Sequence, residues 1–356
     1  MPNFGPDLAS EPTKVSIYRA FFNRMKRFLT TFLLAAALLF GAAGTAVAQR
    51  GGVPHARNGE VAFDAKALRK DIDSLCGPAC NGRKTGTPGG RHAAEYIARR
   101  MQDLGLKPLK GSSYTLPFTV SDGVKGCNVA GIFPGQSDKY VVVGAHFDHL
   151  GRLDGKLYPG ADKNASGVGA LLSIGHMVRK MILLGKNYNK GLILVAFDAK
   201  EMNLAGSEAF VKAVEDGALK NPSTGNAIRI EDISLMINLD VLGSTLSPAE
   251  GGREDYILVL TGSNTYLHNS IKARNEGERI HLEIIGNYYG SEDFTRLFYK
   301  RVSDQKAFLD RRIPAVMFTS GITMNTNKTT DTPETLDYAV LRRRILLIYY
   351  FLAARL

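Results

Sequence analysis

The chain has 356 residues, 44% of them hydrophobic and 22% charged, a balance typical of a globular protein with a sizeable core. Its formal charge of +11 is scattered apart from the run 342–344, so it indicates solubility or a nearby anionic surface and argues against a nucleic-acid-binding protein. Three cysteines are too few for a zinc finger or a disulfide-stapled mini-domain, although Cys76 and Cys80 flank a short turn and could pair in an exported chain.

The first element along the chain is a predicted secretory signal peptide. Met25 and two basic residues precede an apolar run over 28–40, and the small residues 46–48 form an A-x-A cleavage site. A membrane-spanning helix needs roughly 20 apolar residues, so this run is too short to remain as an anchor. We therefore predict cleavage near Gln49, export to the periplasm or the medium, and no membrane span in the mature protein.

This leader sets the predicted domain organisation. Residues 1–48 form the leader, and translation is expected to start at Met25, because residues 1–23 carry no signal pattern. Residues 49–356 are predicted to form a single domain, since about 300 residues is within the range that one large α/β domain reaches.

Strand and helix patterns alternate beyond Cys127, which is the rhythm of an α/β fold. Strands are predicted at 140–143, 192–197, 235–239, 256–260, 282–285 and 315–318, and helices at 91–104, 167–181 and 335–356. Because the strands are nearly continuous apolar runs with helices between them, both faces of the sheet should be covered. The predicted fold class is therefore α/β, a three-layer sandwich with a central mixed, mostly parallel sheet flanked by helices.

Polar residues stand directly after several of these strands. His146 and Asp148 follow the first strand, Lys200 and Glu201 the second, and Asp240 the third. In open α/β sheets the ligand crevice lies beyond the carboxyl ends of the strands, so these side chains are expected to meet there. Each alone is ordinary strand-end polarity, but together they predict a functional site.

The motifs around these residues occur in the order found in a known peptidase family. They are Gly144-Ala145-His146-Phe147-Asp148, Gly160-Ala161-Asp162-Lys163-Asn164-Ala165-Ser166-Gly167, Lys200-Glu201 with Leu204-Ala205-Gly206-Ser207, Asn238-Leu239-Asp240, Ser303-Asp304 and Asp331-Thr332. Over roughly 141–336 the chain resembles the bacterial leucyl aminopeptidase and glutaminyl cyclase group of zinc peptidases, metallopeptidase family twenty-eight. The resemblance implies a zinc aminopeptidase-like fold and, in active members, a pair of zinc ions with a Glu as general base.

Several site positions of the family are retained, as the resemblance implies. His146, Glu201 and Asp240 match metal ligands, and Asp148 matches the Asp that orients the first His. The chemistry needs imidazole and carboxylate ligands because they hold an ion whose bound water attacks the peptide carbonyl. A further carboxylate must accept the proton from that water.

Other family positions carry residues that are unsuited to this chemistry. The resemblance places Lys163 where the family has the Asp that bridges both metals, and Lys200 where it has the general-base Glu. Asn327 falls on the late His ligand, and Gln305 falls on the His of a Ser-Asp-His segment. A protonated ammonium has no lone pair and repels a divalent ion, and the acids beside Lys200 should raise its pKa and keep it protonated.

These replacements lead to the functional hypothesis of an exported, catalytically inactive relative of the zinc aminopeptidases that acts by binding and holds no cofactor. Lys163 and Lys200 would then neutralise the surviving acids, and the crevice would take a peptide, a cell-envelope polymer or a protein partner. The alternative is an active aminopeptidase or amide hydrolase with one zinc ion on His146 and Asp240, with or without Glu201. A third interpretation is that the motifs arise by chance in an unrelated sheet protein.

Overall fold

A computed structural model describes residues 63–245, 253–288 and 290–356. The strands are β1 (Thr115–Thr119), β2 (Lys125–Phe133), β3 (Tyr140–His146), β4 (Gly151–Leu153), β5 (Lys156–Tyr158), β6 (Gly191–Phe197), β7 (Ile233–Leu239), β8 (Tyr256–Leu260), β9 (Glu283–Ile285) and β10 (Ala315–Thr319). The α-helices are α1 (Ala65–Cys76), α2 (Pro88–Asp103), α3 (Gly167–Leu183), α4 (Ala205–Glu215), α5 (Thr265–Gly277), α6 (Glu292–Arg301), α7 (Gln305–Asp310) and α8 (Tyr338–Ala353).

The leader predicted over 1–48 and its cleavage site near Gln49 lie outside the described residues. Those described fall within one compact unit, Gly59–Leu356. None of the helices in the described part of the chain is both long and apolar enough to cross a bilayer. Cys76 and Cys80 are free thiols, as is Cys127.

An eight-stranded mixed sheet forms the centre of the fold, in the order β1-β2-β6-β3-β7-β10-β8-β9. The central strands β6, β3, β7 and β10 run parallel, as do β8 and β9 at one edge. The pairs β1–β2, β2–β6 and β10–β8 are antiparallel, and β4 and β5 form a separate hairpin. The predicted mixed sheet is confirmed.

Helices cover both faces of this sheet, which confirms the predicted three-layer arrangement. Helices α1, α2, α3, α5 and α8 pack on one face, and α4 and α7 pack on the other. Strands β3 and β6 are buried at every position, which explains their continuous apolar sequences. On the α4 face, the rings of Phe197, Phe210 and Phe308 pack with centroids 5.9 to 6.3 Å apart.

The N-terminal part of the fold contains elements that the sequence patterns do not predict. Strand β2 contains Gly126 and Gly131, which weaken a strand pattern, and β1 contains Pro117, which is tolerated because β1 is an edge strand. Helix α1 is held by Asp71, whose carboxylate accepts a hydrogen bond from Arg100 at 2.7 Å. These elements depend on tertiary contacts, so local sequence alone does not reveal them.

The order of the central strands positions the candidate site. Strands β6, β3 and β7 are parallel neighbours, so their carboxyl ends lie side by side. His146 is the last residue of β3, Asp240 follows β7, and the segment with Lys200 and Glu201 follows β6. The fold therefore brings these sequence-predicted residues to one edge of the sheet.

Candidate functional site

Two acids flank the imidazole of His146 at the end of β3. Its Nε2 lies 3.2 Å from Oδ1 of Asp240, and its Nδ1 lies 3.5 Å from Oδ1 of Asp148. Burial and the nearby Lys200 ammonium act to lower the pKa of His146, but Asp240 and Asp148 outweigh them and raise it to about 9. The imidazole is therefore a cation at neutral pH.

Lys163 lies in the turn Ala161–Ser166, which leads from β5 into α3. The carboxylate of Asp331 accepts the backbone N–H groups of Asp162 at 2.7 Å and of Lys163 at 3.0 Å. The side chain of Asn164 donates to the last carbonyl of β7 at 2.9 Å and accepts a hydrogen bond from the first N–H of α3 at 3.2 Å. These bonds fix the turn against the end of the sheet.

Asp148 holds the segment that follows β6. Its Oδ1 accepts the backbone N–H of Lys200 at 3.0 Å, and its Oδ2 accepts that of Glu201 at 2.9 Å. The same buried carboxylate also faces His146. Asp148 therefore joins the ends of β3 and β6.

The charged side chains meet in what we call the ion-pair cluster, formed by His146, Asp148, Lys163, Lys200, Glu201 and Asp240. Nζ of Lys163 lies 2.8 Å from Oε1 of Glu201 and donates to Oδ1 of Asn327 at 2.7 Å. Nζ of Lys200 lies 3.5 Å from the same Glu201 oxygen and 3.9 Å from Oδ2 of Asp240. With the imidazole protonated, the cations and the anions of the cluster balance in number.

Burial acts against each of these charges, and their neighbours decide the outcome. Despite burial, the Lys200 ammonium and the other nearby cations hold the pKa values of Glu201 and Asp240 well below their usual range. Those two acids in turn raise the pKa of Lys200 although it is buried. Burial and the Lys200 ammonium lower the pKa of Lys163, while the close contact with Glu201 opposes them.

Gln305 lies beneath the cluster and does not join it. Its Oε1 accepts a hydrogen bond from Asn238 at 2.6 Å, and its Nε2 donates to the carbonyl of Tyr299 at 2.6 Å. Asn238 also donates to Ser303 at 2.8 Å, and Ser303 donates to Oδ2 of Asp240 at 2.6 Å. Gln305 therefore supports Asp240 through a chain of buried hydrogen bonds.

Arg83 organises the site, and the sequence analysis missed it. Its fully buried guanidinium donates to backbone carbonyls at 2.7 to 2.8 Å. The acceptors are Leu75, Phe147, Pro159 and Gly160. Arg83 thus ties α1 to the loop between His146 and Asp148 and to the start of the Lys163 turn. A single Arg outside any motif gives no sequence signal for this role.

Two more buried titratable residues adjoin the cluster. Burial, with nearby Arg83, lowers the pKa of His149 well below its usual value, and neither ring nitrogen has a hydrogen-bond partner among the described residues. Burial raises the pKa of Asp304 to about 7. His149 directly follows the His146-Phe147-Asp148 motif and Asp304 lies in the Ser303-Asp304 motif, so sequence proximity could have drawn attention to both.

Comparison with known protein families shows which family this chain belongs to. The model of peptidase family M28 matches residues 128–352, which is more than half of the 356 residues. The chain belongs to peptidase family M28. The resemblance inferred from the motifs is confirmed.

Proteins of known structure that are similar to this M28 chain include a zinc aminopeptidase and a glutaminyl cyclase. It is 15% identical to BSAP, a zinc aminopeptidase from Bacillus subtilis, with a TM-score of 0.62 over 83% of this chain and 96% of that one. It is 16% identical to glutaminyl cyclase from Porphyromonas gingivalis, with a TM-score of 0.58 over 83% and 99% of the two chains. A probable leucine aminopeptidase of Trichophyton verrucosum is 26% identical over 213 residues, 58% of this chain and 50% of that protein. The chain thus spans about half the length of the curated relatives it matches.

The residues of this M28 chain do not fit a pair of zinc ions. A zinc site takes at least three protein ligands with nitrogen, oxygen or sulfur donors. Here the ammonium groups of Lys163 and Lys200 lie against the carboxylates of Glu201 and Asp240, so cations already occupy the approach to those oxygens. Within residues 63–245, 253–288 and 290–356, no group of three or more His, Cys, Asp or Glu side chains is placed to hold an ion.

Because Lys163 and Glu201 are in contact, substitutions at these two positions should change stability by amounts that do not simply add. Lys163→Met should lower the free energy of unfolding by about 1–3 kcal/mol, because it leaves the three-quarters-buried side chain of Glu201 without its close partner and removes the donor to Asn327. Urea denaturation measures the loss. Adding Glu201→Gln should cost less in the Lys163→Met background than in the parent protein. Strictly additive effects would show that the two charges do not interact.

The pKa of Asp304 predicts a dependence of stability on pH. This carboxyl has a folded-state pKa of about 7, above its ordinary value of 3.8. Its protonation therefore contributes stability that is fully present at pH values below 3.8. This stability is lost as pH rises through about 7. As pH rises from 3.8 to about 7, the free energy of unfolding of Asp304→Asn should therefore fall less than that of the parent protein. The difference should be on the order of 1–4 kcal/mol.

Urea denaturation at several pH values tests this dependence, with Asp293→Asn on the exposed side of α6 as the control for loss of a carboxylate. Identical pH profiles for Asp304→Asn and the parent protein would refute the shifted pKa.

Proposed function

We propose that this M28 chain is an exported binding protein that no longer hydrolyses peptides. The observation that carries the proposal is the position of two ammonium groups, with Lys163 at 2.8 Å from Glu201 and Lys200 between Glu201 and Asp240. These cations replace metal ions as partners of the surviving acids. The fold and the crevice edge are kept, while the donor set for zinc is not.

The same geometry makes neither Lys200 nor Glu201 suited to take a proton from an attacking water. General-base catalysis needs an unprotonated acceptor within hydrogen-bond reach of that water, and it speeds such steps by about a hundredfold or more. The raised pKa of Lys200 keeps its ammonium protonated. Glu201 is engaged by Lys163 and has a strongly lowered pKa, which makes it a weak base.

The unused hydrogen-bonding capacity of the site supports a role in binding. Nζ of Lys200 can donate three hydrogen bonds, yet its contacts among the described residues are no shorter than 3.5 Å. Its side chain keeps 10% of its surface exposed and that of Glu201 keeps 25%, so a ligand can reach both. We infer a ligand that offers carbonyl or carboxylate oxygens to Lys200, as a peptide or a cell-envelope polymer does.

An active hydrolase with a single zinc ion is the second candidate. It is favoured by the retained ligand positions His146 and Asp240, whose Nε2 and Oδ1 atoms lie 3.2 Å apart and face each other. Glu201 would have to release Lys163 to supply a third ligand. Two ligands fall short of the usual three plus water, so this candidate requires a rearranged cluster.

Zinc binding and turnover separate these candidates. After dialysis against zinc, the purified protein should retain substoichiometric metal by elemental analysis and show no turnover of aminoacyl chromogenic substrates above a buffer control. The reason is that an entering ion would face two ammonium groups. Stoichiometric zinc with measurable aminopeptidase activity would establish the one-zinc enzyme instead.

Restoring the family's residues gives a matched test of the same point. Lys200→Glu alone should recover neither zinc nor activity, whereas Lys163→Asp, Lys200→Glu and Asn327→His combined should raise zinc binding well above the parent protein. Lys328→Asp serves as the control, because it changes the charge of an exposed residue next to Asn327. Equal zinc binding by the control and the triple variant would show that the cluster residues do not govern metal affinity.

Export is proposed from the apolar run over 28–40 and the small residues 46–48. The protein should be recovered from the periplasm or the medium with an amino terminus near Gln49, which N-terminal sequencing and intact mass measure. Recovery of the unprocessed chain from the cytoplasm of its own cells would contradict the proposal.

A further inference from the structure

Helix α3 ends in a protrusion that is apolar and exposed. The helix closes with Met181 and Ile182, which pack partly against the core, followed by Leu183 and Leu184. These leucines are 67% and 78% exposed. Met181 and Ile182 pack against the fold, whereas Leu183 and Leu184 remain in water. Exposed apolar side chains that adjoin one another are typical of an interaction surface.

The charge around this protrusion is entirely positive in the local sequence. From the start of α3 to the end of β6 the chain has no Asp or Glu, while Arg179, Lys180, Lys186 and Lys190 supply cations. Lys180 and Lys186 flank the leucines and form no ion pair with any described residue. Lys190 donates to Ser234 at 3.2 Å, and Arg179 packs over Gly105. An apolar tip between unpaired lysines is complementary to an anionic, partly apolar surface.

The protrusion and the crevice lie at opposite ends of strand β6. The loop after Leu184 leads into the first residue of β6, whereas Lys200 and Glu201 follow the last. Strand β6 has 7 residues, so at about 3.3 Å per residue its two ends are separated by roughly 20 Å. A surface that contacts the protrusion therefore leaves the crevice facing away from it.

We propose that the tip of α3, defined as Lys180, Leu183, Leu184 and Lys186, docks on the surface of an anionic phospholipid bilayer. Leu183 and Leu184 enter the interface, and the two lysines contact lipid phosphates. The attachment is peripheral and reversible, because two leucines bury far less apolar surface than a spanning helix. It holds the crevice open to the aqueous side, and it does not depend on whether the protein is an enzyme.

The absence of tryptophan from the sequence provides a direct test. Leu184→Trp introduces a single reporter at the tip, and Met324→Trp introduces one at a similarly exposed apolar site, 69% exposed, outside the tip. On titration with phosphatidylcholine vesicles containing phosphatidylglycerol, the emission of Leu184→Trp should shift to the blue and be quenched by a bilayer-phase quencher. Met324→Trp should show neither change. Absence of a shift for Leu184→Trp, or equal shifts for both variants, would overturn the proposal.

Co-sedimentation with vesicles measures affinity with the protein purified from its exporting cells. Leu183→Ser combined with Leu184→Ser should weaken binding to phosphatidylglycerol-containing vesicles by about tenfold or more, since each leucine loses its transfer from water. Lys180→Gln with Lys186→Gln should weaken it about tenfold or more at low salt and less at high salt, because added ions screen the attraction. Equal binding by all variants, or binding that requires a membrane protein in the vesicles and fails with lipid alone, would overturn the proposal.

Discussion

Carboxylates that converge at the carboxyl edge of a parallel sheet need countercharges, and the rest of this site depends on that requirement. Asp240 is buried, while the side chain of Glu201 keeps 25% of its surface exposed, so leaving them unpaired would cost free energy, most of it at Asp240. In this chain an ammonium or an imidazolium stands beside Oε1 of Glu201 and beside both carboxylate oxygens of Asp240. As the family resemblance implies, the contacts of Lys163 and Lys200 meet an electrostatic need that zinc ions meet in active members of the family.

The scaffold beneath the cluster is built from bonds to the backbone, and this allows the charged side chains to differ without loss of the fold. Asp148 and Asp331 accept backbone N–H groups of the segments that carry the lysines. Arg83 donates to four backbone carbonyl groups. Because these bonds involve the main chain, they tolerate a change of side chain at the neighbouring position. These bonds at the crevice edge therefore do not involve the side chains of Lys163, Lys200 and Glu201.

Much of the fold was accessible from the sequence, because buried parallel strands such as β3 and β6 read as continuous apolar runs. The converging polar residues after those strands were accessible for the same reason. Arg83 was not, since its role depends on carbonyl groups brought together from distant segments. The proximity of Lys163 and Asn327 followed only from the family resemblance, which assigns both to ligand positions, because the two residues come from loops far apart in sequence.

A site whose charges are balanced by its own side chains is complete as soon as the chain has folded. Zinc enzymes must acquire their ions after translation, and their activity follows the supply of metal in the compartment that they reach. On the proposed function, maturation of this protein has no metal-loading step, and chelators and zinc shortage leave its crevice unchanged. On this proposal, Lys163 in place of a metal ligand and Lys200 in place of the general base make the charge balance of the site independent of the metal supply.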